Sequence, residues 1–406
     1  MEIHKVKLGD VAAVKGGKRL PKGINLIAEP NAHPYIRVRD LNGKRTLELD
    51  NSFEFVDNET QKTISRYIVT GGDIVLSIVG TIGLVAVVGN TLNEANLTEN
   101  CVKLTDLSGI DRDFLYYYLK SSYGQQEVKR GTVGAVQAKL PIKNIQNITI
   151  LLPDELTQRK ISSILSSIDA KIEMNQKIND NLQQQAVALY QSLFVNYSRI
   201  KNKELVPSEL GNIPLGWSVK TLSDITTNIR TRVHENTYKV LSAVNSGCLQ
   251  LSEEYFTKQV FSKDISNYIV VEANDFAYNP SRINIGSIGL NTLGYTGCVS
   301  PIYVVFRTEP EYHFFMNFFI KSSRFNEEIR TRASGSVRQA VNYKDFGPIK
   351  LVYPPLSVVR QFNSEYEKIL MCINRNLSEK LVLERLRDVL LPKLMSGEID
   401  VSAVQL

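Results

Sequence analysis

The chain contains the same sequence pattern twice, and this repeat limits the folds open to it. Ile64-Ser65 and Tyr67-Ile68-Val69 recur as Ile265-Ser266 and Tyr268-Ile269-Val270, an offset of 265 − 64 = 201 residues. The same offset matches four further pairs of segments: Lys120-Ser121-Ser122 with Lys321-Ser322-Ser323, Pro153 with Pro354, Asn175 with Asn376, and Leu189 with Leu390. A repeat of this length has the size of a domain, so it predicts two similar halves related by a pseudo-twofold axis.

The composition indicates a globular, cytoplasmic protein with a mild preference for polyanions. The 406 residues suffice for two or three domains, and 48 basic against 42 acidic residues give a net charge of +6. The four cysteines form no CxxC pair and no pattern shared by the two halves, which is typical of reduced thiols. The first ten residues are charged and lack the apolar core of a signal peptide.

Each half begins with a stretch of short apolar runs separated by Gly, Asn and Asp, the pattern of strands and turns. One helix is expected in each stretch, at Phe114–Val128 and at Phe315–Ile329. These features predict compact α+β domains. The uncharged run Ile74–Asn93 is long enough to cross a bilayer, but its counterpart contains Pro280 and Arg282, so we expect a buried β-hairpin.

Each half ends in a long helix with a seven-residue apolar repeat, the pattern of a coiled-coil seam. Pro153 and Pro354 mark where these helices begin, because proline is tolerated in the first helical turn. Asn175 and Asn376 occupy matching positions, where asparagine fixes the register of the helices. The seam is expected at Ile161, Leu165, Ile168, Ile172, Asn175, Leu182 and Leu189 in the first helix, and at Phe362, Ile369, Ile373, Asn376, Leu383 and Leu390 in the second.

Two such helices in one chain are most simply one antiparallel pair, about 60 Å long, that acts as a spacer. The chain then divides into a first domain at 1–150, a first spacer helix at 151–200, a second domain at 201–352, and a second helix with the C-terminal segment at 353–406. The alternative is that each helix packs only on its own domain as an ordinary amphipathic helix.

The sequence contains no clear catalytic motif. It has no phosphate-binding GxxxxGK(S/T) loop, no GxGxxG after a strand, and no histidine pair at metal-ligand spacing. Asn279-Pro280-Ser281-Arg282 faintly resembles the Asn-Pro-Pro-aromatic motif of adenine methyltransferases, but it lacks the second proline and the aromatic ring that would stack on a flipped base. We interpret this segment as a turn, and we expect the chain itself to bind no metal ion and no cofactor.

Basic residues near glycines recur in both domains and are the candidate DNA contacts. Arginine can read guanine edges with two hydrogen bonds or neutralise phosphates, and glutamine can pair with adenine. Glycine lets the backbone come close to a phosphate. For any single arginine, a solvated surface charge remains the alternative. The candidates are Lys18, Arg19, Arg37, Arg39, Arg130, Gln137, Arg230, Arg232, Arg282, Arg330, Arg332, Arg338 and Gln339.

Several short strings, taken in order, resemble the specificity (S) subunit of type I restriction–modification systems. They span the chain: Pro34-Tyr35-Ile36-Arg37, Ala188-Leu189-Tyr190-Gln191, Gly211-Asn212-Ile213-Pro214 and Leu391-Pro392-Lys393-Leu394. One departure from the family pattern is Pro153-Asp154, where the second half has the usual Pro354-Pro355.

The resemblance implies two target recognition domains, each of which reads one half of a bipartite sequence in double-stranded DNA, with the helices setting the gap. It also implies a non-catalytic subunit that docks two modification (M) subunits. Those partners use S-adenosylmethionine to methylate adenine, and they recruit restriction (R) subunits that use ATP and Mg²⁺. Such a complex works in the cytoplasm of a prokaryote.

The two halves diverge most at residues 11–41 and 225–244, so we expect unlike half-sites and an asymmetric target. Replacing Arg338 and Gln339 with alanine should weaken recognition of one half-site only. Two other functions remain open, a bivalent coiled-coil scaffold that does not bind DNA and a fused methyltransferase. A steep loss of DNA affinity with salt separates DNA recognition from the scaffold. Methyl transfer by the chain alone would support the methyltransferase.

Overall fold

The chain forms two compact units in the computed structural model, which describes residues 3–41, 43, 45–134, 136–200, 204–244, 247–256, 261–333 and 340–405. Unit 1 contains residues 1–177 and 376–406, and unit 2 contains residues 178–375. Each unit therefore combines one strand-rich domain with part of each long helix. The boundary between the units falls within both long helices, because the two ends of each long helix pack on different domains. The division into four consecutive segments stays a prediction.

Two long helices account for most of the helical residues. Glu155–Tyr190 has 36 residues and Leu356–Ser396 has 41, which correspond to about 54 Å and about 60 Å of helix. Both begin two residues later than expected, because Pro153 still belongs to a strand and Pro354 precedes the first turn. A π-helical turn, Gln191–Val195, follows the first of them.

The helices are numbered in chain order as follows: α1 (Leu8–Val11), α2 (Asn58–Ile64), α3 (Arg112–Lys120), α4 (Ser122–Gly131), α5 (Ile142–Gln146), α6 (Glu155–Tyr190), α7 (Leu222–Ile225), α8 (Ser252–Tyr255), α9 (His313–Phe319), α10 (Ser323–Arg332), α11 (Tyr343–Phe346) and α12 (Leu356–Ser396).

The domain of unit 1 is built from short strands in three sheets. The strands are β1 (Ile3–Lys7), β2 (Ala13–Gly16), β3 (Pro34–Ile36), β4 (Thr46–Leu47), β5 (Glu54–Phe55), β6 (Ile74–Ser77), β7 (Val85–Val88), β8 (Asn96–Leu97), β9 (Cys101–Thr105) and β10 (Thr149–Pro153). They form a five-stranded sheet of order β2-β9-β6-β7-β4, a three-stranded sheet of order β5-β3-β8, and the antiparallel pair β1-β10.

The domain of unit 2 repeats this plan with a larger central sheet. Its strands are β11 (Leu205–Ser208), β12 (Gly211–Pro214), β13 (Ser218–Thr221), β14 (Thr226–Ile229), β15 (Leu241–Val244), β16 (Cys248–Leu251), β17 (Ile269–Val271), β18 (Phe276–Tyr278), β19 (Ile288–Leu290), β20 (Gly297–Val299), β21 (Val304–Thr308) and β22 (Lys350–Tyr353). The central sheet has the order β14-β21-β18-β19-β16-β15, and β13 pairs with β22 as β1 pairs with β10. Two similar α+β domains and two long helices confirm the expected fold class.

The uncharged run at residues 74–93 is the buried hairpin that the sequence predicts. β6 and β7 pair antiparallel, and every residue of both strands is buried. Within the described part of the chain, no helix is both long enough and apolar enough to cross a membrane.

Each domain has two short helices, α3-α4 and α9-α10, where the sequence pattern predicts one. The break falls on the repeated Lys-Ser-Ser segment. The hydroxyl of Ser121 accepts a hydrogen bond from the Gly124 N–H at 3.3 Å, and the hydroxyl of Ser322 accepts one from the Phe325 N–H at 3.2 Å. Each serine therefore caps a new helix. A Cβ on Gly124 would lie 2.2 Å from the Tyr118 carbonyl oxygen, so this tight turn requires glycine.

In unit 1, α6 and α12 run antiparallel and contact each other. Asp169 of α6 pairs with Arg387 of α12 at 3.0 Å. Asn175, further along α6, donates to Glu379, further back on α12, at 2.8 Å. In unit 2, the amide of Asn179 donates to a main-chain carbonyl of α12 at 3.4 Å. These contacts exclude the alternative in which each helix packs only on its own domain.

Most of the expected seam residues are buried between the helices and the domain cores. Leu165 of α6 and Leu394 of α12 belong to the core of unit 1, and Leu189 and Phe362 belong to that of unit 2. Leu182, Ile369, Leu383 and Leu390 are half-buried. The buried seam residues are Ile161, Leu165, Ile168, Ile172, Asn175, Leu189, Phe362, Ile373 and Asn376.

Candidate nucleic-acid interface

Arg230 and Arg232 follow β14 in unit 2 and line a groove of about 490 Å³ together with Lys344 of α11. The phenolic hydroxyl of Tyr343 donates to the carbonyl oxygen of Thr226 at 2.9 Å, which fixes α11 against β14. This contact brings Lys344 to the same groove as the two arginines, although the lysine is far from them in the sequence. All three cationic side chains are exposed.

The remaining lining of this groove is uncharged and combines asparagines with apolar residues such as Ile229 and Val304. Asn228, Asn267 and Asn342 contribute side chains, and no acidic residue is among the described residues that line it. Arg232 donates from Nη1 to the Asn267 Oδ1 at 2.8 Å, so that part of its guanidinium is held in place. We call this site, defined by Arg230, Arg232, Lys344 and the three asparagines, the basic groove. Exposed guanidinium and amide groups are those that contact phosphates and base edges.

The corresponding segment of unit 1, after β2, carries Lys18 and Arg19. The Lys18 ammonium lies 5.6 Å from the centre of the Tyr67 ring. Arg19 is 80% exposed and donates from Nε to Glu99 at 2.6 Å. Gly17 does not open the backbone to a ligand, because a Cβ there would lie 2.0 Å from the Thr98 carbonyl oxygen. This glycine is therefore required by the close approach of two segments of the domain.

Arg37 and Arg39 form an ion-pair cluster with Glu54 and Asp40, in which Arg39 is 57% exposed. Arg37 pairs with Glu54, and its side chain is only 22% exposed. Arg39 donates to Glu54 at 2.8 Å and pairs with Asp40 at 3.4 Å. Burial raises the pKa of Asp40 to about 6, although Arg39 acts in the opposite direction. The cluster holds the 3-10 turn at Val38–Leu41 on the sheet, and a DNA contact by either arginine stays a prediction.

Arg130 and Gln137 flank an exposed loop after α4. Arg130 is 76% exposed and pairs with Glu127 at 2.6 Å. An isolated bridge between Val133 and Lys139 closes the loop, and Gln137 is exposed. Gly134 has φ +99°, a conformation that favours glycine, so the loop geometry explains this residue.

The other arginines of unit 2 are distributed over separate elements. Arg282 is exposed and precedes the 3-10 turn Ile283–Ile285. Arg330 is exposed on α10, whereas Arg332 donates to the Asp345 carbonyl oxygen at 3.0 Å and pairs with a glutamate of its own helix. The predicted contacts Arg338 and Gln339 lie outside the described residues.

The structure thus brings two pairs of predicted residues together, Arg230 with Arg232 and Arg37 with Arg39. It also identifies Lys344, Asn267 and Asn342 in the basic groove, which the sequence reasoning did not select. The repeat offered a signal for the lysine, because 344 − 201 = 143 and position 143 is also a lysine.

The segment that faintly resembles a methyltransferase motif is a turn after β18. The Asn279 side-chain oxygen accepts a hydrogen bond from the Ser281 N–H at 3.0 Å, so the asparagine serves the turn itself. No group of three or more His, Cys, Asp or Glu side chains among the described residues is placed to hold a metal ion.

The sequence of the chain is similar to those of several specificity subunits. Residues 2–184 match the family model described as type I restriction modification DNA specificity domain. The chain is 25% identical over 419 aligned residues to the type I restriction enzyme MjaIX specificity subunit of Methanocaldococcus jannaschii, covering 98% of this chain and 94% of that one. It is 23% identical over 332 residues to the HindI specificity subunit of Haemophilus influenzae, covering 64% and 71%.

A solved structure shares the fold. The crystal structure of the type I restriction–modification S subunit from M. genitalium matches with a TM-score of 0.57 at 16% identity. The match covers 97% of this chain and 96% of that chain.

Proposed function

We propose that this chain is a specificity subunit of a type I restriction–modification system and recognises a DNA sequence for that system. The basic groove of unit 2 is the observation that carries the proposal. Three exposed cations converge there on a surface without carboxylates, and the neighbouring asparagines supply both donors and acceptors. Cations supply affinity for the phosphate backbone, while amide and guanidinium groups can discriminate bases.

Each domain reads one half of a bipartite, asymmetric target in this proposal. The support is that the corresponding segments of the two domains present different groups. After β14 the exposed arginines stand beside Asn267 and Lys344, whereas after β2 Arg19 is paired with Glu99. Different donors and acceptors in the two domains favour different base pairs, so the two half-sites should be unlike.

The chain supplies recognition in this proposal, and partner subunits supply the chemistry. The modification subunits would dock on the long helices, bring S-adenosylmethionine to the target adenine, and connect the complex to ATP-dependent restriction subunits. The complex would act in the prokaryotic cytoplasm, where its DNA substrate is. The support is the similarity to specificity subunits along almost the whole chain.

The first step of the test is to identify the target sequence, by comparing the DNA methylation of the host with and without this gene. A labelled duplex of that sequence is then bound to the chain together with its modification subunits, and affinity is measured by fluorescence anisotropy at increasing salt. We expect Lys344→Ala to reduce the slope of log K against log salt by about 1, because one phosphate contact is lost.

Arg230→Ala and Arg232→Ala should each weaken binding to the half-site read by unit 2 by about 1–3 kcal/mol if these arginines contact bases. Binding to the other half-site should stay unchanged. Arg159→Ala is the matched control, because Arg159 is exposed on a helix and pairs only with Glu155 of the same helix in the contacts seen here. A wild-type affinity that does not depend on salt would contradict DNA recognition and favour the scaffold.

A further inference from the structure

The two units differ at three buried or half-buried positions that the repeat makes equivalent. In unit 1, Asp169 of α6 accepts a hydrogen bond from the Tyr117 hydroxyl at 2.7 Å and pairs with Arg387 of α12 at 3.0 Å. The Arg45 guanidinium lies 5.7 Å from the centre of the Tyr117 ring. A polar cluster therefore fills the space between the two helices and α3.

In unit 2 the same positions are apolar. The offset of 201 residues places Leu370 where unit 1 has Asp169, Phe318 where it has Tyr117, and Ala186 where it has Arg387. The largest change is from arginine to alanine, which removes a long side chain without a compensating residue at that position.

An opening of about 850 Å³ lies at this place in unit 2. Ala186, Phe318 and Leu370 form part of its wall, together with Tyr190 and Tyr366. This volume falls in the range of pockets that bind ligands or anchor side chains, roughly 300–1,000 Å³. We call it the apolar opening. It is not the basic groove, with which it shares no lining residue.

The mouth of the apolar opening is positively charged. Lys321 and Arg324 line it, and no described lining residue is acidic. The Nε of Arg324 is buried and has no hydrogen-bond partner among the described residues. Lys321 is exposed, the end of its side chain lies close to Gly247, and partial burial lowers its pKa. A carboxylate at this mouth would accept a hydrogen bond from the Arg324 Nε and stabilise the protonated form of Lys321.

The apolar opening continues along the outer face of α6. A shallower depression shares Gln183, Val187 and Gln191 with it and extends over residues 180–191, about 16 Å of helix. Val187 is 46% exposed on this face. A surface of this length is better matched to a peptide segment than to a compact small molecule. The aromatic and aliphatic wall of the opening, which includes Phe318 and Leu370, would leave the polar edges of a nucleic-acid base without hydrogen bonds. The depression is lined mainly by polar residues, Asp180 among them.

We propose that the apolar opening is a docking site for an acidic segment of a partner protein. The segment places one aliphatic or aromatic side chain between Ala186, Phe318 and Leu370, and its carboxylates meet Lys321 and Arg324. Unit 1 offers no equivalent site, because Arg387 and Asp169 occupy the corresponding space. The proposal goes beyond DNA recognition and does not depend on it.

The test uses the full chain without DNA and two labelled 14-residue helical peptides. Both carry Leu and Phe at i, i+3, i+4 and i+7 spacing; one has glutamate at the flanking positions and the other has lysine. Binding is measured by fluorescence anisotropy. We expect the glutamate peptide to bind at least tenfold more tightly. Lys321→Ala with Arg324→Ala should abolish this preference, whereas Arg385→Ala, a change on the exposed face of α12, should preserve it.

The role of the apolar opening is tested by introducing the polar residues of unit 1 at the equivalent positions of unit 2. The triple variant Ala186→Arg, Phe318→Tyr and Leu370→Asp keeps the introduced charges paired, and it should weaken binding of the glutamate peptide at least tenfold. Ala186→Leu, which fills the space without charge, should do the same, so the outcome does not rest on one variant folding.

Three results would overturn the proposal: no binding of either peptide, equal binding of both, or full affinity in both filled variants. Saturable, peptide-free binding of 8-anilino-1-naphthalenesulfonate, lost in the filled variants, would instead indicate a site for small organic anions. Displacement of the glutamate peptide by a single-stranded oligonucleotide would indicate a nucleic-acid site. None of these results bears on the salt dependence of duplex binding, which tests the proposed function separately.

Discussion

Asp40 shows how burial of one carboxyl group makes the stability of the first domain depend on pH. Its side chain is 3% exposed and accepts a hydrogen bond from the Arg37 N–H at 2.7 Å. Burial raises its pKa to about 6, compared with about 3.9 for an aspartate in an unfolded chain. Between these two values the folded chain holds a proton that the unfolded chain releases.

Because the pKa of Asp40 is higher in the folded state than in the unfolded state, the stability that its protonation contributes is fully present below about pH 4. This contribution is lost as the pH rises through about 6. The free energy of unfolding of the wild type, relative to Asp40→Asn, should therefore fall between pH 4 and pH 7. Urea unfolding at constant ionic strength measures this difference. Asp106→Asn is the control, because a hydrogen bond from Lys15 lowers the pKa of Asp106 and its effect lies at lower pH. A constant difference for Asp40→Asn would refute the assignment.

The sequence could identify the arginines but not which of them remain available to a ligand. Arg37 and Arg230 both stand near strand ends, yet Arg37 meets Glu54 inside the domain and Arg230 lines the basic groove. The difference depends on tertiary neighbours that are distant in sequence, and residue patterns carry no information about them. Lys344 was missed for the same reason, since α11 reaches the groove only through the Tyr343 contact with β14.

At the scale of elements, the contact between the long helices in unit 1 includes one buried ion pair. Asp169 is 7% exposed and has two partners, the Arg387 guanidinium and the Tyr117 hydroxyl. Burial raises the pKa of Tyr117, which therefore stays protonated and continues to donate. Removal of the arginine would leave the carboxylate buried with a single neutral donor.

Arg387→Ala should lower the free energy of unfolding of unit 1 by about 3 kcal/mol, because an unpaired buried charge is left behind. Arg385→Ala, two residues earlier on an exposed face of α12, should change it by less than about 0.5 kcal/mol. Chemical denaturation followed by tyrosine fluorescence and circular dichroism gives both values. Equal effects of the two substitutions would show that the Asp169 pair contributes nothing specific.

The long helices could be predicted from the sequence because a heptad repeat depends on residue spacing alone. Most of the predicted seam positions are buried. The details within elements depend on single hydrogen bonds. The break between α3 and α4 arises from the Ser121 cap and the close approach at Gly124, which no periodicity reveals. Asn175 and Asn376 are both buried at equivalent positions, but the partner of Asn175, Glu379, depends on the antiparallel register and could not be predicted from the repeat.

At the scale of the whole molecule, the repeat predicts one architecture used twice with different chemistry. The duplicated fold follows from matched apolar positions, which tolerate divergence elsewhere. The differences lie in the segments after β2 and β14, and also at one place beside the helices, where the polar cluster at Asp169 is replaced by the apolar Leu370 and its neighbours. In the proposals above, two domains of similar fold can therefore read unlike half-sites, and unit 2 can contain an additional binding site.

The proposed role of the helices in setting the gap between half-sites is tested by lengthening both. One heptad inserted after Lys177 in α6 and one after Arg375 in α12 keeps the seam in phase at the boundary of the two units. Each insertion adds about 10 Å of helix, which corresponds to about three base pairs of duplex. The preferred gap should increase by about three base pairs, as measured by selection from a library with variable gaps.

Three base pairs also rotate the second half-site by roughly a third of a helical turn. Loss of tight binding to every gap, with weak binding to single half-sites retained, is therefore consistent with the same role. A seven-residue Gly-Ser insertion in the exposed turn at Gly109 is the control, because it adds the same number of residues without lengthening a helix. If the lengthened protein preferred the original gap, the distance between half-sites would have to be set by something other than α6 and α12.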